Sequence, residues 1–345
     1  MQKAFRTELR IQGGKVSDEK IPTKRVYNKL NAKHIVSLDE FKKYLAAGNT
    51  LLNQYFSKRK QIEINNAVYI MKKRFTKYES PESDRQFQAL YKSADLHNRN
   101  RLTEMLHYFV GPMWAKIILV MIQFEKTDHD IFTFIKMNFK PSESFQTKLY
   151  RMLKISDLLQ RYAPSSGANL NLLDIGVGNG AKTLQLKELL GCNVYGADLE
   201  SWGPYGQTRH FRFPFKKIQQ NPYRIGYPDK MFECITLILT LHHAKDVPEV
   251  IRECKRLLKD DGIIVIVEHD MWSDESNMLI DLQHRIYSTI YEEPDEYFGS
   301  YYNFYEWDVI FHKCGMAPVY ATNLTDDVTN FWRYDVQFMG IYKKA

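Results

Sequence analysis

With 345 residues, 44% of them hydrophobic and 26% charged, the chain has the length of two domains and the composition of an ordinary globular protein. Four scattered cysteines, Cys192, Cys234, Cys254 and Cys314, form no C-x-x-C pair, which argues against a disulfide frame or zinc ribbon and for a reducing compartment. Net charge is +7, but residues 1–150 hold 27 Lys+Arg against 15 Asp+Glu while residues 151–345 hold 21 against 26, so the basic half is expected to meet a polyanion unless its lysines merely solvate helix faces.

The first 34 residues are basic, contain Gly13-Gly14 and Pro22, and show no periodicity, as in a loose arm. The opening MQKAFRTELR lacks the apolar centre of a signal peptide, so a cytoplasmic location is expected. A helical pattern starts at SLDEFKKYLAAGNTLLNQYF, with Ser37 and Glu40 spaced as a capping box, and another at Ser80, with Pro81 in its first turn. Basic and aromatic residues mix at 55–60 and 72–78, suiting single-stranded nucleic acid, although an amphipathic helix with buried rings explains them equally. WAKIILVMIQF (114–124) falls short of the ~20 residues of a membrane span and reads as a core helix, so no membrane partner is expected. DIFTFIKMNF fits a helix or a strand. Together these features predict a basic, mainly helical N-terminal domain over residues 1–140.

From residue 141 the pattern sharpens. Phe145, Leu149, Met152, Leu153 and Leu159 mark an amphipathic helix that stops near RYAPSSG. A strand at Leu172–Ile175 runs into a glycine turn, followed by a helix ending at Gly191 and a strand, NVYGAD, ending in Asp198. FECITLILTLHH reads as a strand ending in two histidines, VPEVIRECKRLLKDDG as a helix closed by Gly262, and IIVIVEHD as a buried strand. Apolar strands alternating with helices call for a mostly parallel sheet covered on both faces.

The stretch NLLDIGVGNG places Gly176, Gly178 and Gly180 where another molecule can approach the backbone. With Ala181 it also satisfies G-x-G-x-x-A, a dinucleotide fingerprint, and the glycines alone leave both ligands open. Four further segments stand in order behind it: VYGADLE, YPDKMFECITLILTLHH, LLKDDGIIVIVEHD and the tail WRYDVQFMGIYKK. In this arrangement residues 141–345 resemble class I S-adenosylmethionine-dependent methyltransferases of the broad group with L-H-H after the fourth strand; Glu233 stands where Asp is usual. EHDMWSDESNMLIDLQHRIY adds a faint likeness to methyltransferases of large viruses.

The resemblance implies a Rossmann-like α/β sheet whose last strand is antiparallel, and S-adenosylmethionine as cofactor. Carried over, Asp174, Gly176, Gly178 and Gly180 hold the methionine part, Asp198 the ribose hydroxyls and Leu199 the adenine, with Thr240 and Leu241 at the end of the fourth strand. A carboxylate at this mouth suits a cationic ligand better than a pyrophosphate. The segment 201–227, long, aromatic and basic, departs from the family's short acidic turn and leaves the adenine amino group unassigned. Glu268, His269 and His242 are the candidate acid/base residues; the histidines lack metal-ligand spacing, so no metal is expected. Leu241-His242-His243 stands where ribose methyltransferases carry an Asp, which points to a base nitrogen, as in cap guanine, of an RNA held by the basic half. A small-molecule acceptor under a helical lid is the alternative. A third is a non-catalytic subunit that stabilises a partner subunit, against which the intact Asp174, Gly176, Gly178 and Asp198 set argues.

Overall fold

The computed structural model describes residues 85–92, 96–139, 145–199, 211–271, 274–291, 301–324 and 337–345. The helices expected from Ser37 and Ser80 and the basic-aromatic clusters at 55–60 and 72–78 lie outside the described residues. The helices are α1 (Gln86–Lys92), α2 (Leu96–Gln123), α3 (Asp128–Met137), α4 (Phe145–Tyr162), α5 (Ala181–Leu190), α6 (Val247–Leu257), α7 (Asp274–Tyr291) and α8 (Phe304–Lys313). The strands are β1 (Asn171–Ile175), β2 (Asn193–Asp198), β3 (Phe215–Lys217), β4 (Gln219–Gln220), β5 (Tyr223–Arg224), β6 (Phe232–Ile238), β7 (Leu258–His269), β8 (Met316–Asn323) and β9 (Gln337–Lys344). Two compact units divide the chain: residues 1–143 with 270–303 and 325–336, and residues 144–269 with 304–324 and 337–345.

The second unit is built on a seven-stranded sheet in the order β3-β2-β1-β6-β7-β9-β8. Strand β9 runs antiparallel to both β7 and β8, and the remaining pairs are parallel. This is the Rossmann-like sheet with an antiparallel last strand expected from the sequence. All seven residues of β6 are buried, as a central strand covered on both faces requires. The sheet order reverses beside β1, which opens the carboxyl ends of β1 and β6 as a crevice for ligand.

Two boundaries differ from the sequence reading. Strand β6 stops at Ile238, and Leu241–His243 forms a single 3-10 turn instead of its last residues. The break comes at Leu239, whose left-handed φ of 56° takes the chain off the ladder. Helix α6 ends at Leu257, before Gly262, because Leu258 already pairs with Phe232 in the sheet. Gly262 instead sits inside β7 next to a register shift, where a Cβ would come within 2.8 Å of the Leu258 side chain and 3.0 Å of the Glu233 carbonyl.

In the first unit DIFTFIKMNF resolves as helix α3, fixed by a capping box in which Thr127 accepts from the Asp130 N–H and Asp130 from the Thr127 N–H. Helix α2 kinks at Gly111-Pro112 and buries Leu102, Met105, Leu106, Phe109, Ala115, Ile118 and Ile122 against α1, α3 and α7. WAKIILVMIQF is thus a core helix on one face only: Ile117, Val120 and Phe124 are exposed on the other. Arg99–Gln123 is long and apolar enough to cross a membrane, but 39% of its apolar window is buried inside the protein. Asp128, wholly buried, accepts the N–H groups of Gln86 (2.8 Å) and Phe87 (3.3 Å) at the start of α1. Asp128→Ala is therefore expected to cost about 3 kcal/mol in urea unfolding, because two buried donors lose their acceptor. Asp130→Ala, which removes an exposed cap, should cost about 1 kcal/mol.

Candidate functional site

Glycine conformation shapes the loop after β1. Gly176, Gly178 and Gly180 have φ of 78°, 51° and 75°, a region that other residues occupy only under strain. The Gly176 N–H donates to the Ala197 carbonyl at 2.7 Å, which ties the loop to the end of β2. A Cβ on Gly178 would meet nothing within 4 Å, so the backbone there faces open space. A Cβ on Gly176 would lie 2.3 Å from Thr240 Oγ1, so the turn after β6 presses directly on the loop.

The acids at this mouth have specific partners. Asp198, at the end of β2, accepts the Gly178 N–H at 2.8 Å on Oδ2 and its neighbour Leu199 N–H at 2.7 Å on Oδ1. Asp174 is 3% exposed, and both of its oxygens are engaged: Thr236 Oγ1 of β6 donates to Oδ1 at 2.8 Å and Thr183 Oγ1 of α5 to Oδ2 at 2.6 Å. Burial raises the Asp174 carboxyl above its ordinary value against those two hydroxyls. Asp174 thereby braces β1, β6 and α5, and a direct contact with a ligand ammonium would have to displace a threonine. Thr183 and Thr236 escaped the sequence reading because a hydroxyl inside an apolar run gives no local signal of its partner.

A second buried carboxylate organises the turn that carries Thr240, Leu241 and His242. Glu268, near the end of β7, accepts the N–H groups of Thr240 (3.0 Å) and Leu241 (2.7 Å) on Oε1, while Oε2 faces His242 Nδ1 at 2.6 Å. The Leu239 N–H donates to the Val267 carbonyl at 2.7 Å, so a residue in a costly conformation is held from both ends. Glu268, His242 and His269 are all buried, at 0%, 1% and 3% exposure. The His242 ring lies 4.2 Å from that of His243 and 4.8 Å from that of His269. Burial, with two neighbouring imidazoles, drives His243 well below its ordinary pKa and keeps it neutral. The structure thus gathers Thr240, Leu241, His242 and Glu268 into one hydrogen-bonded turn against Gly176, with Gly178 and Asp198 joined beside it.

An adenosyl cofactor fits this constellation. The loop has room over Gly178, and Asp198 offers two acceptor oxygens that now hold backbone N–H groups. A methyltransferase domain family matches residues 146–320. The chain is 30% identical over 109 residues to the uncharacterized methyltransferase YcgJ of Bacillus subtilis, covering 30% of this chain and 42% of that protein. It is 25% identical over 134 residues to the ubiquinone/menaquinone biosynthesis C-methyltransferase UbiE of Hahella chejuensis, covering 35% and 50%. Among solved structures, a SAM-dependent methyltransferase from Aquifex aeolicus aligns over 58% of this chain and 98% of its own with 15% identity and a TM-score of 0.38. The chain spans no more than half the length of these curated relatives.

Gly176→Ala should weaken S-adenosylhomocysteine binding by at least ~10-fold in calorimetry, since the added methyl collides with Thr240 and the backbone must leave its left-handed well. Adding Thr240→Gly should restore part of that loss by removing the colliding side chain; no recovery would separate the loop from the turn. Burial pushes the Glu268 carboxyl from its ordinary 4.5 up to about 7. A carboxyl raised by folding binds its proton more tightly in the native state, so its stabilising contribution is complete below pH 4.5 and is lost as pH rises toward 7. The stability advantage of the wild type over Glu268→Gln should accordingly shrink by about 3 kcal/mol across that window in urea titrations, the His243 contribution cancelling between the two proteins.

Proposed function

Since the chain belongs to the methyltransferase domain family and pairs an open glycine loop with a ribose-type acid, we propose that it transfers a methyl group from S-adenosylmethionine to a base nitrogen of RNA. The observation carrying the cofactor half is the Gly178–Asp198 contact: a carboxylate already bonded to the loop can exchange two backbone donors for two vicinal hydroxyls. When bound, the cofactor supplies an electrophilic methyl on a sulfonium. Gly176 and Gly178 then admit it close to the backbone, Leu199 and Leu241 give it apolar walls, and Thr240 closes the loop from the β6 side. Methyl transfer needs in-line alignment above all, so these residues contribute mainly by positioning.

The RNA half rests on the charge of residues 1–150 and on Leu241-His242-His243 in place of an Asp suited to ribose. A base nitrogen is already nucleophilic and makes the smaller demand on a base. The faint likeness to viral methyltransferases around residues 268–287 belongs to the same reading. One observation favours a small-molecule acceptor instead: residues 85–143 carry eight Lys+Arg against six Asp+Glu, so that part of the chain offers little attraction to a polyanion.

Calorimetry should show heat with S-adenosylhomocysteine and none with NAD; the reverse would remove the methyltransferase reading, and no heat with either would favour a non-catalytic subunit. With methyl-labelled cofactor and a panel of capped RNA, uncapped RNA, DNA, protein and small-molecule extract, label is expected in RNA. RNA binding should weaken steeply with salt, by roughly 10- to 1,000-fold between low and physiological ionic strength, as counterion release dictates. Salt-independent turnover on a low-molecular-weight acceptor would instead select the small-molecule reading.

A further inference from the structure

Resting on the methyl-transfer reading above, we propose that Glu268 is a positioning residue: it fixes the turn after β6 and keeps the His242 proton on Nδ1, leaving the lone pair on Nε2 to take a proton from the acceptor. Glu268 itself is fully buried, and its oxygens already face three partners, so it does not touch substrate. The two N–H groups on Oε1 decide which oxygen meets the imidazole and hold the carboxylate against rotation. His242 lies in a turn closed by the His243 N–H to the Thr240 carbonyl at 3.1 Å and is flanked by the rings of His243 and His269, so its orientation is set as firmly as its partner's.

The protonation argument holds for either assignment of the shared proton. With the pair deprotonated once, carboxylate faces Nδ1–H and Nε2 carries a lone pair. Adding a proton gives an imidazolium, or a carboxylic acid donating to Nδ1 with hydrogen now on Nε2; neither form can accept at Nε2. Base catalysis therefore belongs to the less protonated pair. In the reaction, the acceptor N–H proton passes to Nε2, the nitrogen lone pair forms the bond to the methyl carbon, and the sulfur–carbon pair stays on sulfur as a neutral thioether. The resulting imidazolium is balanced by Glu268, as a carboxylate steadies a catalytic histidine in acyl-transfer enzymes.

Glu268→Gln separates positioning from bracing. The amide oxygen still accepts the two turn N–H groups, but its NH2 faces Nδ1 and forces the proton to Nε2. Nitrogen NMR of histidine-labelled full chain, with His242 assigned by the signal lost in His242→Gln, should show protonated Nδ1 and bare Nε2 in the wild type, reversed in Glu268→Gln. S-adenosylhomocysteine affinity should change by no more than about threefold, while turnover falls on the order of 100-fold. A wild-type His242 protonated on Nε2 overturns the proposal without any variant being made. So does a Glu268→Gln protein that turns over normally, or one that loses cofactor affinity and turnover together with its tautomer unchanged, which would make Glu268 a structural brace alone. Failure of the wild type to bind S-adenosylhomocysteine would instead remove the reading on which the proposal rests.

Discussion

A carboxylate at the end of β7 gathers the backbone of the neighbouring strand's turn, and the rest of the site is arranged around that contact. Glu268 supplies acceptors to Thr240 and Leu241 where the chain has just left the ladder at Leu239 and the next N–H groups have no sheet partner. A buried, unbonded N–H costs on the order of 1–3 kcal/mol, so the turn could hardly keep this path without such an acceptor. The same group orders His242, which couples the shape of the turn to the chemistry of its side chain.

The turn in its place determines what β1 can look like. Thr240 occupies the volume that a Cβ on Gly176 would need, so the first glycine of the loop is required by contact with another strand as well as by its positive φ. Gly178 is different: its surroundings are open, and its N–H is the one that Asp198 holds. Two glycines two residues apart thus meet unlike constraints, one steric and one tied to ligand access. Asp174 adds rigidity beneath them through Thr183 and Thr236, converting an acid that reads as a ligand contact into a buried tie between two strands and a helix.

Burial also sets the ionisation of the site. Desolvation raises Asp174 and Glu268, and together with neighbouring imidazoles it lowers His243, so the charges are weaker than a sequence count of two acids and three histidines suggests. A sulfonium ligand entering such a region would meet pre-aligned dipoles and few mobile charges, the condition under which positioning governs rate.

The sequence by itself determined the sheet: apolar runs at β1, β2, β6 and β7, the glycines and terminal acids between them, and an aromatic tail that proved to be the antiparallel β9. These signals are local, because each strand's burial is written in its own residues. Tertiary structure alone decided that Glu268 bonds a turn 27 residues away from it, that Asp174 spends both oxygens on threonines, and that β6 ends before its histidines. Such pairings join residues far apart in the chain whose hydrogen-bonding capacity is the same whichever partner they find, so only the fold, by bringing particular donors and acceptors within reach, makes the choice.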